Sequence, residues 1–138
     1  SAIRNIHPPI KDSFALRLES RNSTVVVSGD TAYMPDMIDF ANNADLLIHE
    51  AMLSEGIDLI MSHLDHNDQR LKNHLLRSHT TAENVGLIAK RANVKCLALN
   101  HFVPDGFPEF NRDYWIRSVR RQWSGKIIVG SDGTKIPL

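Results

Sequence analysis

Several residues that could bind a metal ion or act as an acid or base follow directly after apolar runs. Asp30 follows the run VVVSG, His49 and Glu50 follow DLLI, and His101 follows CLALN. His79 lies at the turn that opens a predicted helix. Imidazole and carboxylate donors together suit Zn²⁺, Mn²⁺ or Fe, and a carboxylate can bridge two metal ions. A carboxylate such as Glu50 could also hold a histidine such as His79 in one tautomer for acid–base work.

Each of these residues also has a structural interpretation when taken singly. Asp30 could cap a turn, and His101 could bond to backbone at a strand end. His7, which precedes two prolines, could be a loop histidine, while Glu50 and His79 could be a surface glutamate and a capping histidine. Only their convergence at one place would favour a site.

A second group of histidines lies in the polar segment 53–78. His63, His66 and Asp68 look like a metal-binding string, but their spacing lets only some of them share a helical face. We therefore interpret 53–78 as a solvated lid or insertion. His63, His66 and His74 are the next ligand candidates if the chain binds a full set of metal ions.

The elements that must position these groups alternate between strands and helices. Helical spacing and start signals predict helices. In the predicted helix 79–94, Thr80 caps the first turn and the Glu83 side chain reaches back to the cap. Apolar alternation and β-branched runs predict strands. The predicted strands are 14–20, 23–29, 45–50, 94–100 and one or two within 126–138, and the predicted helices are 35–43, 70–76, 79–94 and 110–123. This order indicates an α/β layer, in which polar groups at the carboxyl ends of strands share one edge.

Length and charge limit the classes of function. The chain has 138 residues, which fits one domain over 1–138, and its 16 basic and 16 acidic residues cancel. We therefore expect no general attraction to nucleic acid or to an anionic membrane. No apolar run is long enough to span a bilayer, and Cys96 stands alone in an apolar run as a buried small side chain. The sequence does not indicate a compartment.

Five short motifs occur in an order that carries a resemblance: H-P-P-x-x-D-S-F-A from His7, then S-G-D-T, H-E-A, H-T-T and N-H-F. Together they resemble the carboxyl-terminal half of a metallo-β-lactamase-fold hydrolase of the ribonuclease Z and arylsulfatase-like branch. The resemblance runs from about His7 to the end of the chain.

The resemblance implies a site that holds two zinc ions, with Mn or Fe as alternatives. His7 matches a histidine ligand of the first metal, Asp30 matches the bridging aspartate, and His101 matches a ligand of the second metal. Glu50 and His79 match the carboxylate–histidine pair beside the scissile group. In that family a metal-bridged hydroxide attacks an ester, sulfate ester or phosphodiester.

The sequence departs from the family in lacking the signature H-x-H-x-D-H, which supplies most of the other ligands. The resemblance therefore implies half of an αββα sandwich, namely one mixed sheet with helices on one face and the other face exposed. We expect this chain alone to hold an incomplete, inactive site. A missing amino-terminal half, a partner chain or a second copy would have to complete it.

The short interval between His7 and Asp30 leaves no room for the tRNA-grasping insertion of ribonuclease Z. With zero net charge, this favours a small-molecule ester or phosphodiester over nucleic acid. Two alternatives stay open: a ribonuclease Z-like RNA phosphodiesterase, and a non-catalytic half-domain that binds a partner or assembles with itself.

Overall fold

The computed structural model of the chain describes residues 1–64 and 69–138. This part of the chain contains six strands and five α-helices, together with a 3₁₀ turn at Pro108–Phe110. The strands are β1 (Ala2–Arg4), β2 (Phe14–Glu19), β3 (Thr24–Val27), β4 (Leu46–Met52), β5 (Cys96–Val103) and β6 (Lys126–Val129). The helices are α1 (Asp36–Phe40), α2 (Ser54–Ser62), α3 (Gln69–Ser78), α4 (Ala82–Arg91) and α5 (Arg112–Arg120). None of these helices is long and apolar enough to cross a membrane.

The strands form one mixed sheet in which spatial order follows chain order, β1 to β6. The pairs β1–β2 and β2–β3 are antiparallel, whereas β3, β4, β5 and β6 run parallel. Because parallel strands need crossover connections, helices fill the intervals between β3 and β6. The predicted mixed α/β sheet is confirmed.

One face of the sheet carries the main core. Leu47, Leu97 and Leu99 point to this face and pack with Val85 and Ile88 of α4, all fully buried. Side chains alternate along each strand, so the neighbouring residues must point to the opposite face. The helices therefore cover one face of the sheet, as the sequence predicts.

The opposite face is apolar and largely uncovered. Phe14, Leu16 and Leu18 of β2 expose 44%, 48% and 57% of their surface. Beside them lies a small cluster that centres on Leu46, Cys96 and Ala98. Cys96 is thus a buried small side chain, as predicted. Contiguous apolar surface of this kind marks an interaction site in a folded protein.

Several elements differ from the predictions. Thr81, not Thr80, caps α4 by accepting a hydrogen bond from the Asn84 amide at 3.3 Å. Thr80 instead donates its hydroxyl to the Thr31 carbonyl at 2.7 Å, because its side chain lies buried against that loop. β1 and α2 were not predicted.

Substitutions on the two faces of the sheet should change the stability by different amounts. Leu47→Ala, which empties a fully buried position, should lower the free energy of unfolding by about 3 kcal/mol. Leu18→Ala, which removes an exposed side chain, should change it by less than about 0.5 kcal/mol. Urea denaturation of the 138-residue chain measures both. Equal losses would show that the open face is covered in solution.

Candidate metal centre

The parallel strands bring the predicted residues to one edge of the sheet. Asp30 follows β3, Glu50 lies in the carboxyl half of β4, and His101 lies in the carboxyl half of β5. His79 stands between α3 and α4, where the Met52 amide donates to the neighbouring Thr80 carbonyl at 2.8 Å. Since parallel strands end at the same edge, the site is a direct product of this topology.

A β-bulge aims His101 at this edge. The register between β4 and β5 shifts at this point, so that Glu50 pairs with Asn100 and Ala51 pairs with Phe102. His101 is the extra residue, with a φ of 43°, a left-handed conformation that is uncommon outside glycine. Bulges re-aim side chains beside functional sites. Here the His101 Nε2 lies 3.4 Å from the Asp30 Oδ2.

Glu50 is a buried carboxylate that ties three segments together. Its side chain is 1% exposed, and Oε1 accepts hydrogen bonds from the amides of Thr31 at 3.2 Å and Thr80 at 3.0 Å. The same oxygen lies 3.4 Å from the Nδ1 of His79, which is 7% exposed. The structure thus brings together the predicted carboxylate–histidine pair.

The histidine rings form a continuous contact. The ring centroid of His79 lies 5.4 Å from that of His7, edge to face, and 5.4 Å from that of His101, stacked. His7 donates its Nδ1–H to the Ser78 carbonyl at 3.0 Å. All five predicted site residues therefore belong to one cluster: His7, Asp30, Glu50, His79 and His101.

A sixth residue, His74, joins the cluster from α3. Its ring centroid lies 6.0 Å from that of His7 and 6.5 Å from that of His79. From the sequence, His74 is predicted to lie in the lid and is one of three further ligand candidates. A helix that ends at Ser78 puts His74 on the same face as Ser78, one turn before His79, and this spacing is the signal that could have identified it.

The remaining lid histidines do not join this group in the described part of the chain. His63 is exposed at the end of α2, where its ring contacts that of Phe107 at a centroid distance of 5.5 Å. His66 and Asp68 lie outside the described residues. Whether 53–78 acts as a lid stays a prediction.

His49 is separate from the cluster although it adjoins Glu50. Its side chain is fully buried, and its Nδ1–H donates to the Glu50 carbonyl at 2.7 Å. Its Nε2 is buried without a hydrogen-bond partner among the described residues. Burial lowers the pKa of His49 below 6.5, outweighing the nearby Glu50 charge and the carbonyl contact, which raise it.

The donor types at this edge fit a metal ion, but their arrangement does not form a complete metal site. Within residues 1–64 and 69–138, no group of three or more His, Cys, Asp or Glu side chains is arranged to hold a metal ion. Two buried atoms, Glu50 Oε2 and His79 Nδ1, have no hydrogen-bond partner in the same part of the chain. Buried polar atoms without a partner are rare in native structures, and Asn5 Oδ1 and His49 Nε2, outside the cluster, are two more among the described residues.

Known proteins resemble this chain in sequence and in fold. No family model matches the chain. Ribonuclease Z of Mycobacterium tuberculosis strain H37Rv is 29% identical over 126 residues, which cover 91% of this chain and 43% of that protein. A putative ribonuclease Z of strain CDC 1551 is 29% identical over the same length, with 53% of that protein covered.

Solved structures agree on the fold. The metallo-β-lactamase fold protein YhfI from Bacillus subtilis matches 97% of this chain with a TM-score of 0.72 and 25% identity, over 47% of its own length. The short form of human tRNase Z matches 99% of this chain with a TM-score of 0.60 and 23% identity, over 41% of its own length.

This chain has part of the metallo-β-lactamase fold and is ribonuclease Z-like. It spans about half the length of the curated relatives that it matches. The residues that carried the sequence resemblance lie in this matched part of the fold.

The Glu50 contacts predict a difference between two substitutions. Glu50→Ala leaves two buried amides without an acceptor and should lower the free energy of unfolding by about 3 kcal/mol. Glu50→Gln keeps an oxygen for them and should cost only about 1 kcal/mol. Urea denaturation at neutral pH tests this. A loss for Glu50→Gln as large as that for Glu50→Ala would mean that the charge, rather than the acceptor, holds the three segments.

Burial of neutral His49 predicts a pH dependence of stability. Below pH 6.5, His49 binds a proton in the unfolded chain but stays neutral in the folded chain. The free energy of unfolding is therefore highest above pH 6.5 and decreases as the pH falls towards the pKa of His49 in the folded chain. The slope should be up to about 1.4 kcal/mol per pH unit. His49→Leu should remove this part of the slope in urea titrations at several pH values, whereas His63→Leu, at an exposed histidine, should not.

Proposed function

We propose that this chain contributes the carboxyl-terminal part of a metal-dependent hydrolase site that acts on an ester, sulfate ester or phosphodiester. The observation that carries the proposal is the cluster of His7, Asp30, Glu50, His79 and His101 at one strand edge. Ribonuclease Z-like sequence and metallo-β-lactamase fold support the same class of chemistry.

In this proposal His7, Asp30 and His101 are metal ligands. His7 commits Nδ1 to the Ser78 carbonyl, which leaves Nε2 as a ligand atom, and a backbone carbonyl is a common partner of a metal-binding histidine. His101 and Asp30 already lie 3.4 Å apart. A bound zinc ion would supply Lewis-acid stabilisation of developing negative charge. The other ligands come from outside the described residues.

Glu50 and His79 serve the reacting group. Because Glu50 Oε1 lies beside the Nδ1 of His79, the carboxylate favours a proton on that nitrogen and leaves Nε2 directed away from it. Stacking on His101 keeps the His79 ring beside a proposed metal ligand. His79 is therefore placed to hold an oxygen of the substrate or to move a proton at the leaving group.

The substrate that we favour is a small molecule. A groove of about 890 Å³ adjoins His101 and carries the carboxylates of Asp105 and Asp132. Two carboxylates beside the site repel a polyanion such as RNA, and the chain has no net positive charge to offset this. An RNA phosphodiesterase is the second candidate, which the names of the sequence relatives favour.

The uncovered apolar face supports a partner that completes the site. The chain matches about half of each relative, and Phe14, Leu16 and Leu18 offer apolar surface on the side opposite to the helices. We propose that a second sheet packs on this face and brings the missing ligands. A non-catalytic half-domain that covers the face by self-assembly is the competing outcome.

The deciding experiment measures the activity of the protein together with the segment that forms the proposed second sheet. Carboxylic ester, sulfate ester, phosphodiester and RNA substrates are compared, with metal content measured by elemental analysis and assembly by mass. Asp30→Ala and His101→Ala should each lower kcat/KM by roughly a thousandfold, because a metal ion supplies several kcal/mol of stabilisation. Asp39→Ala and His63→Ala, at exposed positions, serve as matched controls.

Full activity in the Asp30→Ala protein would exclude Asp30 as a metal ligand. Absence of activity on every substrate, together with a stable self-assembly that buries Leu16 and Leu18, would support the half-domain. Activity on RNA alone would select the second candidate and overturn the small-molecule assignment.

A further inference from the structure

Ser78 makes three hydrogen bonds, and their partners are His7, the adjoining Pro8 and the neighbouring His74. It is the last residue of α3 and is fully buried. Its carbonyl lies 3.0 Å from His7 Nδ1, and its hydroxyl lies 3.0 Å from the Pro8 carbonyl and 3.2 Å from His74 Nδ1. Neither Ser78 nor His74 belongs to the proposed ligands or reacting groups.

The chemistry of these atoms fixes where each proton lies. A carbonyl only accepts, so the Ser78 hydroxyl must donate to Pro8, and its single proton is then used. His74 must therefore donate its Nδ1–H to the Ser78 oxygen, and His7 must donate its Nδ1–H to the Ser78 carbonyl. In the neutral state both rings thus keep Nε2 as an unprotonated acceptor.

We propose that Ser78 is a positioning residue for His7. Its carbonyl selects the His7 tautomer that leaves Nε2 as a ligand atom, and its hydroxyl, held by His74, fastens the His7–Pro8 loop to the end of α3. The proposal rests on the proposed function only where it treats His7 as a metal ligand. It also explains why His74 lies within the histidine cluster: it contacts His7 and holds the Ser78 hydroxyl.

The chain contains a matched control pair in Ser62 and His63. Ser62 is the last residue of α2, as Ser78 is of α3, and its hydroxyl donates to a backbone carbonyl, that of Leu59, at 2.8 Å. Its oxygen lies 3.4 Å from His63 Nδ1. This pair combines the same groups at an exposed site, although His63 Nδ1 also donates to the Leu59 carbonyl at 2.8 Å.

The first test is NMR of the ring nitrogens in the 138-residue chain labelled at histidine, without metal, at a pH of about 8 where imidazoles are neutral. His7 and His74 should both carry the proton on Nδ1. Ser78→Ala should release His74 from this tautomer and broaden or shift the His7 signals, whereas Ser62→Ala should leave both unchanged. A proton on Nε2 of His7 in the unmodified chain would overturn the proposal.

The second test is Zn²⁺ affinity, followed through the His7 ring signals. Ser78→Ala keeps the carbonyl that accepts from His7 but removes the hydroxyl that fastens the His7–Pro8 loop, so we expect binding to weaken by up to about tenfold. His74→Leu, which leaves the buried serine in place, should weaken it in the same direction, and His63→Leu should not. All comparisons use variants whose backbone spectra show them folded.

These results separate this proposal from the proposed function. The Nδ1 tautomers and their dependence on Ser78 can be confirmed in a protein that hydrolyses nothing. Conversely, an active enzyme in which Ser78→Ala changes neither the His7 signals nor Zn²⁺ affinity would exclude a positioning role for the Ser78 hydroxyl while leaving the hydrolase intact.

Discussion

One buried carboxylate holds together the segments on which the site is built. Glu50 reaches from β4 to the loop after β3 and to the turn before α4, accepting amide hydrogen bonds from both. A carboxylate can be buried only if such donors replace the water that it loses. The segments carrying Asp30 and His79 are therefore placed relative to each other by the same group that faces His79.

This arrangement has a cost in unpaired atoms. Glu50 Oε2 and His79 Nδ1 stay without hydrogen-bond partners among the described residues, and His101 adopts a left-handed backbone conformation. Local departures of this kind persist only where the surrounding structure enforces them, and they concentrate at functional sites. In this chain these three departures lie at the edge of the sheet that carries the cluster, while the buried and unpaired His49 Nε2 lies outside the cluster.

Much of the fold could be predicted because apolar runs that end in polar residues indicate strand ends, whereas His7 was assigned to the site only through the family resemblance. Helix α2 was not predicted because the segment 53–78 is polar and histidine-bearing, and its first turn contains Gly56, a weak helix former. The structure gives the reason for this glycine: a Cβ there would come within 2.2 Å of Pro104 Cδ. The bulge at His101 depends on pairing between distant segments, which no local pattern contains.

The agreement between strand order and chain order has a consequence for how the protein forms during synthesis. Each strand pairs with the one made just before it, so the sheet can grow at one edge as the chain emerges, without waiting for a distant segment. The growing sheet takes up the loop of His7 first, then the segment of Asp30, and then the strand that carries Glu50. His101 arrives with β5, so the cluster closes only when most of the chain has been made.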